Sequence, residues 1–164
     1  MSKPRIYVIV AETVQNPLIT EEFVPHHFRL TTTPDTKTIV QPVGRIGAQI
    51  GHVVSEMRMA AMLTLVEKTL KKSETIEMRA GLSLFGALEK KTLPLTTIVF
   101  SVPDSFQLEF RKRLLRKSRI QVYSFYDENP EYGEGAVETA ICTPPIMPER
   151  AYEPLAYLKL WGTR

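Results

Sequence analysis

The spacing of apolar residues changes period along the chain, and each change marks an element. Ile6, Val8, Ile9 and Val10 form a short, mostly β-branched run, which predicts a strand over Arg5–Val10. A run apolar on both faces suits a central strand. From 12 to about 37 the pattern dissolves, with Pro17, Pro25 and Pro34 and a Thr31-Thr32-Thr33 run. That stretch is long for a loop in a compact domain, which marks it as functional, mobile or partly stranded. A short strand is expected over Thr36–Gln41. Between Gly44 and Lys72 the apolar positions Ile46, Ile50, Val53, Val54, Met57, Ala61, Leu65 and Leu70 recur at steps of three and four. This is the signature of an amphipathic helix, and Pro42 suits its entry. Ser73 is placed to cap a second helix carrying Ile76, Met78, Leu82, Leu84, Phe85 and Leu88, with Lys90-Lys91 at its C-terminal end.

Beyond Pro94 the period returns to two. Thr96–Val102 reads as a strand, Ser105–Lys117 as a helix opened by Pro103-Asp104, Ile120–Tyr126 as a strand and Val137–Thr143 as another. The tail from Pro148 to Trp161 is expected to be a terminal helix, interrupted or started afresh near Pro154. The order β-α-α-β-α-β-β-α predicts an α/β fold. The expectation is a three-layer α/β/α arrangement with a mixed sheet of about four strands and helices on both faces. In such sheets ligands bind at the edge where loops from several strand ends gather.

Composition narrows the class. The 164 residues, 43% hydrophobic and 24% charged, suit one domain over 1–164 with a single core. The lone Cys142 excludes an internal disulfide and reads as a small buried hydrophobe. No stretch is long and apolar enough to be a membrane helix, and the apolar run at the N-terminus is too short for a signal-peptide core, so a cytoplasmic location is expected. Adjacent His26 and His27 point apart and lack further ligand types nearby, so neither a metal nor a cofactor is expected. The net charge of +3 is uneven. Arg111, Lys112, Arg113, Arg116, Lys117 and Arg119 crowd together, whereas the acids gather between Asp127 and Glu138. The basic run is a candidate contact for an anionic polymer, or simply a solvated helix face.

The densest chemistry lies in Gly44-Arg45-Ile46-Gly47-Ala48-Gln49-Ile50-Gly51-His52. A small-residue turn leads from a strand into a helix. Arg45, Gln49 and His52 share one helical face, beside N-terminal N–H groups suited to phosphate or to a developing oxyanion. The same segment also reads as a plain helix start, with Gly47, Ala48 and Gly51 permitting close packing on the sheet and His52 half-buried.

Those residues resemble the hallmark of type II peptidyl-tRNA hydrolases, Gly-Lys-[Ile/Val]-Ala-Ala-Gln-x-x-His-Ala. A second likeness is independent: Asp127 ends a strand, Thr139 follows twelve residues on, and an apolar strand runs into Thr143-Pro144-Pro145. The segment from Thr97 to Ser105 is similar to that family's strand leading into a Pro/Asp-started helix. The likeness covers Arg5–Val10 and about Pro42–Pro145, with an insertion at 12–41 and an extra C-terminal segment at 146–164.

The resemblance implies hydrolysis of the ester between a peptidyl group and the 3′ ribose of tRNA. It implies catalytic roles for Arg45, His52, Asp127 and Thr139. Asp127 would orient or activate water, and Arg45 with the helix N-terminus would stabilise the oxyanion. His52 would relay a proton, and Thr139 would hydrogen-bond beside Asp127. Gly44, Gln49 and Glu131 would line the substrate, and Arg111, Lys112, Arg113, Arg116, Lys117 and Arg119 would contact the tRNA. It also leaves room for a homodimer, with Tyr152, Tyr157 and Trp161 at the interface or covering the sheet edge. This chain departs from the family in three places. Arg45 stands for a lysine, and unlike lysine it gives up no proton. Gly47 stands for an alanine. Glu131 stands for a threonine in a loop made acidic, where added carboxylates repel RNA phosphates. A relative that binds RNA or protein without catalysis, and a different hydrolase or small-molecule binder on the same edge, remain alternatives.

Overall fold

A computed structural model describes residues 3–15, 38–71, 75–89, 95–128 and 136–162. The elements in chain order are β1 (Ile6–Ala11), β2 (Thr13–Gln15), β3 (Thr38–Val40), α1 (Val43–Lys71), α2 (Ile76–Glu89), β4 (Thr97–Val102), α3 (Ser105–Lys117), β5 (Tyr123–Asp127), β6 (Val137–Cys142), α4 (Pro148–Ala151) and β7 (Lys159–Leu160). The main sheet has five strands in the order β5-β6-β1-β4-β7. Strand β1 runs parallel to β4 and antiparallel to β6, and β5–β6 and β4–β7 are antiparallel. The fold is thus α/β with a mixed, open sheet.

Strand β1 is buried along its whole length, as its apolar run requires. Its alternate residues feed two cores. Ile6, Val8 and Val10 join Val53, Met57 and Ala61 of α1, whereas Tyr7, Ile9 and Ala11 join Leu108 and Leu115 of α3. The period-two alternation of β1 thus divides its residues between the two clusters.

Three expectations change. The tail does not form a terminal helix: after the single turn of α4, Tyr157 takes φ 65° and the chain returns as β7. Pro154 lacks the N–H that a continuing helix would need. Strand β7 pairs Phe100 with Leu160 and Ser101 with Lys159, so the tail covers the β4 edge and adds a strand beyond the four expected. The cap of α2 is Thr75, whose Oγ1 accepts from Met78 N at 3.2 Å, while Ser73 lies outside the described residues. The glycines of α1 do not serve close packing. A Cβ at Gly44, Gly47 or Gly51 would meet nothing within 4 Å. The glycine that packing does require is Gly81 of α2, where a Cβ would lie 2.6 Å from the Ala61 carbonyl oxygen.

The 12–41 stretch is tied at its ends. Strands β2 and β3 pair Thr13 with Val40 and Gln15 with Thr38, and Gln41 N donates to Glu12 O at 2.9 Å. The chain therefore leaves β1 and re-enters at Gln41 beside the same sheet edge, immediately before α1.

Candidate functional site

Because β1, β4 and β5 all run the same way, Ala11, Val102 and Asp127 end together at one edge of the sheet. Helices α1 and α3 begin at that edge. Asp104 caps α3, its carboxylate accepting from Gln107 N at 2.8 Å. Helix α1 starts after Pro42, whose carbonyl accepts from Ile46 N, and has no acidic residue in its first turn. Its N-terminal N–H groups at Val43, Gly44 and Arg45 lie where α-helical bonding leaves donors unused. Arg45 is half-buried there, and Gly44 is exposed.

A chain of amides crosses this edge. Gln41 Nε2 donates to Ala11 O at 2.6 Å. Gln49 Nε2 donates to Gln41 Oε1 at 2.6 Å and to Asp127 Oδ2 at 3.1 Å. The orientations follow from chemistry. A backbone carbonyl only accepts, so Gln41 must turn its NH2 to Ala11 and its oxygen to Gln49. Gln49 must then present its own NH2, which also reaches the carboxylate. Both glutamines are buried, at 4% and 1% exposure, so the arrangement is shielded from water. Gln41 was missed in the sequence, where it appeared only as the end of a short strand. Its one local signal is a polar residue closing a β-branched run just before the helix-entry proline.

Thr139 belongs to the same corner through an irregularity in the sheet. Phe125 pairs with Ala140 and Tyr126 with Glu138, so Thr139 is an extra residue without an opposite partner. Such a bulge re-aims side chains. In a regular strand Glu138 and Ala140 would share a face. Here Glu138 meets Lys112 of α3, whereas Ala140 joins the core beneath α1. Thr139 is fully buried, and its Oγ1 has no hydrogen-bond partner among the described residues. Gln49 Oε1 is likewise buried and unpartnered. An unmet buried polar atom costs about 1–3 kcal/mol, and such atoms are ordinarily met by water or a ligand group.

His52 shares the face of Gln49 as the helical spacing predicts, since both meet β5. It does so through the Phe125 ring, stacked at 5.1 Å between centroids and 11° between planes. It is exposed and makes no hydrogen bond to Asp127. His52 therefore lies against β5 through an aromatic contact. Glu131 lies outside the described residues, as do His26 and His27.

The basic run separates into unlike parts. Lys112 is turned inward: its Nζ lies 2.5 Å from Glu138 Oε1 and 3.6 Å from Glu109 Oε2, with side-chain exposure of 8%. Burial alone would lower its pKa, but the Glu138 hydrogen bond and charge, with Tyr126 and Glu109, outweigh that and raise it. It is not a surface cation, because its ammonium is bound within the fold. Arg111 Nη1 donates to Pro154 O at 3.2 Å, and Arg113 pairs with Glu109 at 2.9 Å while staying exposed. Arg116, Lys117 and Arg119 are exposed, but α3 runs antiparallel to β1 and carries them to the opposite edge of the sheet. Five steps of strand place that edge roughly 17 Å from Asp127.

Cys142 stays out of this chemistry. It is buried, its Sγ donates to Val53 O at 3.3 Å, and burial pushes its thiol well above the ordinary range. Among the described residues no cluster of three or more His, Cys, Asp or Glu could hold a metal, and no helix is long and apolar enough to cross a membrane. No protein-family model matches the chain, and no curated protein matches it significantly.

Proposed function

We propose that the Gln49–Asp127 edge hydrolyses an ester between a peptidyl group and the 3′ ribose of tRNA, as a divergent peptidyl-tRNA hydrolase serving translation in the cytoplasm. In this reading the sheet is the middle of three layers. The observation that carries it is the 3.1 Å contact from Gln49 Nε2 to Asp127 Oδ2. It joins the two motifs that resemble the family, which lie 78 residues apart in sequence. The unpartnered Gln49 Oε1 and Thr139 Oγ1 offer two further polar contacts to water or substrate.

Asp127, held by the Gln49 amide, accepts a proton from a water whose oxygen attacks the ester carbonyl. The tetrahedral oxyanion forms near the α1 N-terminus and Arg45, whose N–H donors and charge stabilise it. The C–O bond to the ribose then breaks, and the leaving ribose oxygen takes the proton back from Asp127 to become the free hydroxyl. Arg45 supplies charge but no proton, so Asp127 alone carries proton transfer among the residues assigned.

Incubation with peptidyl-tRNA tests this. Asp127→Ala should lower release of peptide by about 100-fold or more, and Arg45→Ala by roughly tenfold or more. Absence of turnover by folded wild-type protein across a range of salt and pH overturns the reading. One observation favours a second reading, an RNA-binding relative without turnover: Arg116, Lys117 and Arg119 sit at the edge away from Asp127. Its signature is salt-sensitive tRNA binding with no release of peptide.

A further inference from the structure

The stacked pair of His52 and Phe125 lies beside the Gln49–Asp127 contact as a consequence of spacing. Phe125 precedes Asp127 by two residues on β5, so both side chains stand on the face that meets α1. His52 follows Gln49 by three residues on α1, and both reach β5. Two strand steps span about 7 Å and three helical residues about 4.5 Å. The rings therefore sit within the length of one nucleoside from the Asp127 carboxylate.

The pair also has the form of a surface that takes a further ring. Phe125 is half-buried and packs against the cluster that holds Val53 and Ala140, which anchors its ring. His52 stacks on it with centroids 5.1 Å apart and planes 11° apart, yet stays exposed. One face of the imidazole is spent on Phe125, so the rest of the ring supplies the exposed surface. Strand β5 is an outer strand of the five-stranded sheet, which puts the pair at the side of the sheet instead of beneath a neighbouring strand. Nucleobases stack on such flat rings, histidine and phenylalanine included.

We propose that His52, backed by Phe125, stacks the base of the nucleoside whose ribose carries the scissile ester, the adenine at the 3′ end of tRNA. The inference rests on the hydrolytic reading of the Gln49–Asp127 edge. A stacked base holds the ribose in place while Asp127 and its water act on the ester. It also gives the site a preference for esters of nucleosides over esters of plain sugars. His52 is then a specificity residue that acts through its ring face and transfers no proton.

Two esters of the same N-acetylated amino acid test it with the full chain. One is carried on the 3′ oxygen of adenosine, the other on the same oxygen of methyl riboside, which has no base. Wild type should show kcat/KM about tenfold or more higher for the adenosine ester. His52→Ala should bring that ratio close to one, whereas His52→Phe, which keeps a flat ring, should retain it. Urea unfolding of both variants checks that they fold. A titration that needs no turnover runs beside it: the trinucleotide C-C-A should bind about tenfold more tightly than the same trinucleotide without its terminal base, and His52→Ala should erase the difference. The proposal is overturned by equal kcat/KM for the two esters in wild type, by equal affinities for the two trinucleotides, or by His52→Phe losing the preference as fully as His52→Ala. No turnover of either ester overturns the hydrolytic reading instead, and the trinucleotide titration then decides for or against stacking by itself.

Discussion

The amide chain from Ala11 to Asp127 makes a quantitative claim about coupling. Replacing Gln49 with Leu removes the donor to both Gln41 Oε1 and Asp127 Oδ2, bonds of 2.6 and 3.1 Å. The neutral bond is worth about 1 kcal/mol and the bond to a carboxylate about 1.5–3. The buried Gln41 Oε1 then loses the Gln49 donor, and the half-buried Asp127 loses one partner. The expected cost is about 2–4 kcal/mol. Gln41→Leu breaks the bond to Gln49 and also the one to Ala11 O, for a cost of about 2–3 kcal/mol. The two single variants share one bond, so their costs must not add. A cycle of wild type, Gln41→Leu, Gln49→Leu and the double variant, each unfolded in urea, should show a coupling of about 1 kcal/mol. Single-variant costs that sum to the double within about 0.3 kcal/mol would refute the shared bond. The same cycle run with peptidyl-tRNA turnover asks whether the amides matter for chemistry. If Gln41 acts by holding Gln49, Gln49→Leu masks any further effect of Gln41→Leu on kcat/KM.

Other expectations are as direct. Gly81→Ala should destabilise by about 1–3 kcal/mol in urea unfolding, because its Cβ would sit 2.6 Å from Ala61 O and 2.9 Å from Leu65 Cβ. Gly47→Ala and Gly51→Ala should each stabilise by about 0.5–1 kcal/mol, since nothing lies within 4 Å and alanine favours the helix. Lys112→Met should cost about 3–5 kcal/mol by leaving the Glu138 carboxylate buried without its partner, at 13% side-chain exposure, and Lys112→Met with Glu138→Leu should recover much of it. Because the Lys112 pKa is raised on folding, the stability it contributes is fully present below the ordinary lysine value and is lost as pH rises through the higher folded one. Alkaline unfolding of wild type above about pH 10.4 should therefore show a loss of stability that the double variant lacks. Cys142 should resist thiol reagents in folded protein and react on unfolding, as its burial and raised pKa require.

Some of this was legible in the chain and some was not, for physical reasons. β1, α1, β4 and α3 were legible because each carries its own period, and α3 also carries its cap, Asp104. No local rule joins Gln49 to Asp127, which lie 78 residues apart. Gln41 escaped because its burial depends on β2–β3 pairing, which brings the end of a long irregular stretch back to Glu12. The tail misled because Ala151, Leu155 and Leu158 have helical spacing, yet they pack as turns against the sheet while Lys159–Leu160 finds the open edge of β4. Lys112 misled because a basic run reads as one surface. A helix of 13 residues presents several faces, and residue 112 falls on the inner one with Leu108 and Leu115.

That inward turn bears on how the two sheet edges would share one substrate. The cations that remain exposed at the end of α3 stand about 17 Å from Asp127, the length of a six-residue strand. A compact ester bound at Asp127 does not reach them, whereas a nucleic acid lying along α3 does. Under the hydrolytic reading, Arg116→Gln and Lys117→Gln should leave kcat/KM unchanged for a minimal aminoacyl-nucleoside ester. The same changes should lower it for full-length tRNA, with a shallower dependence on salt because each lost phosphate contact reduces the slope by about one. Equal losses on both substrates would mean that these residues act through the fold. Equal indifference would mean that the tRNA approaches by another face.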